Sequence, residues 1–135
     1  METLYLLDSN VVLHFRQKRS EAIMRRFAQL QPGEAAISVI AYGELLCGAM
    51  KSSHPTSAIE HLHDLIQELP PLPLPESAAE TYGYIRADLA AREEMIGNND
   101  LWIAAHALAS GLTLVTNNEK EFRRVRGLKI QNWAA

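Results

Sequence analysis

Three acidic residues stand out by their surroundings: Asp8, Glu44 and Asp100. Asp8 closes the apolar run Leu4–Leu7 and is followed two residues later by Asn10. Glu44 sits inside AYGELLCGA, among apolar and small neighbours. Asp100 opens LWIAAHALA, a segment apolar on nearly every side. A carboxylate in such a setting is costly unless it is hydrogen-bonded, paired or bound to a cation. Taken singly, each acid has an ordinary role: Asp8 and Asp100 can cap the helices that follow them, and Glu44 can pair with a buried arginine. Taken together they raise another possibility, because carboxylates that converge repel and lift one another's pKa values. A divalent cation removes that penalty. No His or Cys lies at ligand spacing, and hard oxygen donors favour Mg²⁺ or Mn²⁺ over zinc. Water held by such an ion loses its proton more easily and can attack a phosphodiester.

The elements that must bring these acids together are legible as short apolar runs alternating with amphipathic segments. Leu4–Leu7, Ala35–Val39 and Leu112–Val115 read as buried strands, and Leu128–Ile130 as a short last one. Helices are expected over 9–17, 21–30, 40–50, 56–67, 76–94, 100–109 and 119–125, with Gly111 closing the sixth. ELPPLPLPES can be a polyproline ligand, but reads better as an extended edge strand leading into a helix. No two strands are joined by a hairpin turn. The pattern therefore predicts an α/β domain with a central parallel sheet and helices on both faces. In such sheets ligands bind beyond the carboxyl ends of the strands. Asp8, Ser38 and Thr116 follow three of the runs, which marks that edge.

The 135 residues suit one domain, 1–135, and the 47% hydrophobic content suits a packed core. No apolar stretch approaches the roughly 20 residues that span a bilayer. The first residues lack the basic and apolar blocks of a secretion signal, and a single cysteine, Cys47, fits a reducing cytoplasm. Cys47 is expected in the core, as is His106 on the apolar helix. Charge is uneven. Residues 35–100 carry three Lys/Arg against ten Asp/Glu, and residues 101–135 carry five against two. An acidic middle beside basic flanks suits a cation site bordered by phosphate-binding residues.

Five stretches then gain meaning as a set: LLDSN at Leu6–Asn10, AISVIAYGELLCGA at Ala36–Ala49, IGNNDLWIAAHALASG at Ile96–Gly111, LVTNNEKEFRRVRGL at Leu114–Leu128 and QNW at Gln131–Trp133. In this order and spacing the chain resembles a PIN-domain ribonuclease of the VapC type, the toxin of a bacterial toxin–antitoxin pair. The resemblance covers essentially the whole length. It implies a PIN-like single domain. It also implies a Mg²⁺/Mn²⁺-dependent endoribonuclease in which Asp8, Glu44 and Asp100 are catalytic. Asp8 and Asp100 would be the metal ligands, and Asn10 and Ser38 would orient the acids. Thr116 and Asn118 support the same edge. Many PIN domains carry a further acid where this chain has Asn118; Glu119 next to it is not assigned a role.

The same resemblance implies a homodimer, a VapB-type antitoxin and no membrane association. Toxins with DLWIAAHA and TNNxxEF resemble those that cut initiator tRNA in the anticodon stem-loop, which makes tRNA the expected substrate. Two basic groups are candidates to hold RNA phosphates: Arg16, Lys18 and Arg19, and Lys120, Arg123, Arg124 and Arg126. The alternative function is a PIN-like module that binds RNA or a protein without cutting, and Asn118 keeps it open. A nuclease directed at DNA or at RNA processing is the third reading.

Overall fold

The computed structural model describes residues 2–134. Its elements follow in the order β1 (Tyr5–Leu7), α1 (Ser9–Arg16), α2 (Glu21–Ala28), β2 (Ala35–Ser38), α3 (Val39–Met50), α4 (Pro55–Glu68), β3 (Pro71–Leu72), α5 (Ala78–Ala91), α6 (Asn98–Ala109), β4 (Thr113–Val115), α7 (Glu119–Phe122) and β5 (Ile130–Gln131). The strands form one sheet in the order β3-β2-β1-β4-β5, and every pairing is parallel.

Alternation along the strands explains the layers. Leu6 and Leu114 face one side, where they pack with Ala78, Ile85 and Leu89 of α5 and Leu101 and Ala105 of α6. Leu7, Ile37 and Val115 face the other, against Val11 of α1, Ile23 of α2 and Leu62 of α4. Strands buried on both faces read as continuous apolar runs, which is why three-residue strands were visible at all. Leu6 and Leu7 are both fully buried. Truncating either to Ala should cost about 2–5 kcal/mol.

Register sets the site. Leu7 pairs with Ile37 on one side and Val115 on the other. The next residues, Asp8, Ser38 and Thr116, therefore stand side by side at the carboxyl edge of the sheet. The strand order reverses direction between β1 and β4, so a crevice opens beyond their carboxyl ends. Asp8 and Thr116 stand at that crevice.

The proline-rich segment supplies β3 as an edge strand, where Pro71 needs no ladder donor. Some expected bounds differ. α5 spans Ala78–Ala91, shorter than 76–94, and Glu93 just past it takes a left-handed φ of 58°. α7 stops at Phe122, and β5 lies at Ile130–Gln131, starting two residues and ending one residue later than expected. Gly111, with φ 67°, closes α6 as its position predicts. Cys47 is a correction: it is exposed. α3 buries Ala41, Leu45 and Ala49, a stripe spaced every four residues, and Cys47 lies about 200° around the helix from its neighbours in that stripe. His106 is buried as expected, but its Nδ1 has no hydrogen-bond partner among the described residues, and burial lowers its pKa.

Candidate active site

Asp8 is held from three directions. Its Oδ1 accepts from the backbone N–H of Val11 at 3.0 Å, so it does cap α1. Its Oδ2 accepts from the Thr116 hydroxyl at 2.5 Å, and the Thr116 oxygen accepts in turn from the Asn118 backbone N–H at 2.9 Å. The Asn10 backbone also favours the charged form. Capping and site membership are therefore compatible: one oxygen starts the helix while the other faces β4. Asp8 is only 5% exposed, and burial raises its pKa above the usual carboxylate range despite these donors, with the charge of Glu44 adding to the rise.

Glu44 projects from the second turn of α3. Its Oε1 accepts from the Ser9 hydroxyl at 3.3 Å and its Oε2 from the Asn99 amide at 3.4 Å. Ser38 stands one step removed. Its hydroxyl accepts from the Ala41 N–H at 3.0 Å and so caps the helix that carries Glu44, without touching the acids. Asn10 is exposed and lines, with Ser9, Leu13, Arg16, Gln17, Glu44 and residues farther along α3, a groove of about 410 Å³ beside the acids.

Asp100 lies in the first turn of α6. Its pKa is pushed up to about 6, first by burial and then by the negative charges of Glu44, Glu121 and Asp8. The three acids singled out in the sequence thus come from β1, α3 and α6 into one electrostatic neighbourhood. Among the described residues none of them is ion-paired to a basic side chain.

Sequence reasoning missed Glu121. Asn118 donates its amide to Glu121 Oε2 at 3.2 Å, and Glu121 acts on Asp100 from α7. Asn118 thus positions an acid instead of being one. The signal was present as an i,i+3 spacing from Asn118, which places both residues on one side of a helical turn. Glu119 points away, bound to Asn132 at 3.0 Å and Arg123 at 3.0 Å, which hold its carboxyl below the usual range.

The basic candidates divide. Arg123 pairs with Glu119, Arg124 with Glu94 and Arg126 with Asp88. Arg16 lines the groove beside Glu44, while Lys18, Arg19 and Lys120 are exposed. Of the seven, Arg16 lines a cavity together with Glu44.

The donor set suits a hard cation in one specific way. Among the described residues no three His, Cys, Asp or Glu side chains form a ready-made metal cage. A partly hydrated Mg²⁺ needs no such cage, since one or two carboxylates and several waters suffice. Buried carboxylates with raised pKa values and no cationic partner are sites where such an ion relieves repulsion.

Comparison with known proteins bears on this geometry. The sequence pattern described as "PIN domain" matches residues 5–128. The chain is 40% identical over 129 residues to "Ribonuclease VapC2" of Haemophilus influenzae, covering 96% of this chain and 97% of that one. It is 34% identical over 130 residues to the "tRNA(fMet)-specific endonuclease VapC" of Shigella flexneri, covering 96% and 98%. The fold superposes on VapBC-1 from nontypeable Haemophilus influenzae with a TM-score of 0.90 at 35% identity, with both chains fully covered.

Proposed function

The chain belongs to the PIN-domain family and to its VapC ribonucleases, and on that premise we propose that it is a divalent-metal-dependent endoribonuclease that cleaves tRNA. One observation carries the reading: the charge of Glu44 acts on both Asp8 and Asp100 at the point where the sheet order reverses, and among the described residues no basic side chain is ion-paired to any of the three.

Asp8 and Asp100 would hold the ion, Mg²⁺ or Mn²⁺, with Glu44 completing the acidic group. When bound, the ion makes water more acidic and offsets charge on the phosphate. The chain's own residues do the rest. Thr116 and the Val11 N–H fix both oxygens of Asp8. Ser9 and Asn99 aim Glu44, which can accept a proton from the attacking water. Burial keeps Asp100 close to the point where it exchanges a proton near neutral pH, so cation binding and deprotonation are coupled. The groove lined by Arg16 receives the strand beside the scissile phosphate.

The substrate and partners rest on the relatives. A 34%-identical relative is named for tRNA(fMet), which supports initiator tRNA as the target. Superposition on a toxin–antitoxin complex supports a VapB-type antitoxin. An exposed apolar stripe on α3, including Val39, Cys47 and Met50, supports a homodimer. The non-cleaving alternative drew on Asn118; the contact of Asn118 with Glu121, whose charge reaches Asp100, supports cleavage over it. Among the described residues no helix is long and apolar enough to cross a membrane.

The test is cleavage of total bacterial tRNA by purified, antitoxin-free protein in Mg²⁺, in Mn²⁺ and in EDTA. Discrete fragments that require the metal are expected. Uncut tRNA, mRNA and rRNA from a folded protein would overturn the proposal.

A further inference from the structure

A second constellation lies between α5 and α6, outside the acidic group. Tyr82 of α5 and Trp102 of α6 are stacked, with ring centres 3.8 Å apart and planes at 14°. Asn98, at the start of α6, ties them to Arg86. The Tyr82 hydroxyl donates to Asn98 Oδ1 at 2.5 Å. Arg86 donates from Nη1 to the Tyr82 oxygen at 2.6 Å and to Asn98 Oδ1 at 3.3 Å. Its guanidinium carbon lies 5.9 Å from the Tyr82 ring centre. Both rings are half-buried, and Arg86 is exposed.

The partners of Arg86 are all neutral. Among the described residues no carboxylate lies within ion-pair distance of it, whereas Arg92 pairs with two and Arg123, Arg124 and Arg126 with one each. Arg86 is thus a planar cation held in place with its charge uncancelled, in the most acidic third of the chain. Aromatic rings beside a fixed guanidinium match the two parts of a nucleotide: the base stacks, and the phosphate meets the charge.

Placement links this platform to the acids. Asn98, Asn99 and Asp100 are consecutive. The first holds Tyr82 and Arg86, the second holds Glu44, and the third belongs to the acidic group. Asn98 and Asp100 are about 3 Å apart along the helix axis but about 200° apart around it, so the link runs through Asn99, whose amide donates to Glu44.

We infer that Trp102, Tyr82 and Arg86 form a stacking site for one nucleotide of single-stranded RNA on the α5–α6 face, joined to the acidic group through the start of α6. This rests on the ribonuclease reading of the acids. Stacking accepts any base, so the site positions the strand without choosing its sequence.

The test uses a 12-nucleotide unpaired RNA in EDTA at low salt, where binding is read without cleavage. The chain has two tryptophans, and Trp133 is only 3% exposed, so quenching of emission by RNA reports Trp102. Wild-type protein should be quenched on binding. Trp102→Leu should bind about tenfold more weakly with Trp102→Phe between the two. Arg86→Gln should weaken binding and lower the slope of log affinity against log salt by about one. Circular dichroism and Tm verify the folding of each variant. Absent RNA binding, binding without quenching, or folded variants that bind like wild type would overturn the inference. So would variants that change the oligomeric state in sedimentation while RNA binding is unaffected, since the rings would then be a subunit contact. Cleavage by wild type in Mn²⁺ is measured in parallel. Variant-sensitive binding without cleavage sinks the nuclease reading alone, and cleavage with variant-insensitive binding sinks the platform alone.

Discussion

Two acidic groups in this chain have opposite fates. Near the end of α5, Asp88 and Glu94 are met by Arg92 at 2.8 Å each, with Arg126 near Asp88 and Arg124 near Glu94. Arg92 first, and then Arg126, hold the Asp88 carboxyl below its usual range. At the carboxyl edge of the sheet, Asp8, Glu44 and Glu121 receive hydroxyl, amide and backbone donors, and among the described residues neither they nor Asp100 form an ion pair; Asp8 and Asp100 have raised pKa values. The first group is an ordinary surface network that joins α5 to the segment after α7. The second leaves repulsion in place, which suits a site that must take up a mobile cation.

The largest effect expected from this difference is on cleavage. Asp8→Asn or Asp100→Asn should lower RNA cleavage by about 10²-fold or more with the fold intact, while Asp88→Asn should leave it within about twofold. Fragment yield on gels, beside circular dichroism, checks this, and near-normal cleavage by either site variant would remove the distinction between the groups. Chelation should act as strongly: EDTA abolishes cleavage, and added Mn²⁺ or Mg²⁺ restores it.

Glu121→Gln should have an intermediate effect, roughly tenfold on cleavage. It should also bring the Asp100 pKa down from about 6, because one of the charges that raises it is gone. Carboxyl NMR titration reads that shift, and an unmoved Asp100 would place Glu121 outside the group.

The smallest effect is on stability, and its sign separates the groups. Asp100 has a raised folded pKa, so its ionised form costs stability; the cost appears as pH rises from about 3.8 to about 6. Asp100→Asn should therefore raise Tm by a few degrees in metal-free protein at pH 7, with the gain gone below about pH 4. Asp88 has a lowered folded pKa, so its contribution is present above about 3.8 and is lost as pH falls through the lower folded value. Asp88→Asn should lower Tm slightly at pH 7. Thermal melts across pH check both, and equal signs would collapse the contrast.

How much of this was legible depends on burial. β1, β2 and β4 lie inside the sheet, so their apolar runs, and the polar residues ending them, mark the strands directly. The two-residue edge strand β5, only partly buried, carries no such signal, and the expected strand shares only Ile130 with it. Asp8, Glu44 and Asp100 were visible because acids are rare in apolar surroundings. Glu121 was not, because EKEFRR reads as an ordinary solvated turn, and only the Asn118 contact and the charge of Asp100 mark it out. Arg123, Arg124 and Arg126 read as a basic patch because sequence shows charges but not their partners. Cys47 was misread from apolar neighbours, where the spacing of Ala41, Leu45 and Ala49 would have set it on the outer face.

The central claim is that the uncompensated acids together hold a divalent cation. Mn²⁺ titration of metal-free protein, followed by water-proton relaxation, tests it most directly. Binding by wild type and by Asp88→Asn, with loss in Asp8→Asn and Asp100→Asn, is the predicted result. Mn²⁺ binding that survives unchanged in both site variants would contradict the account.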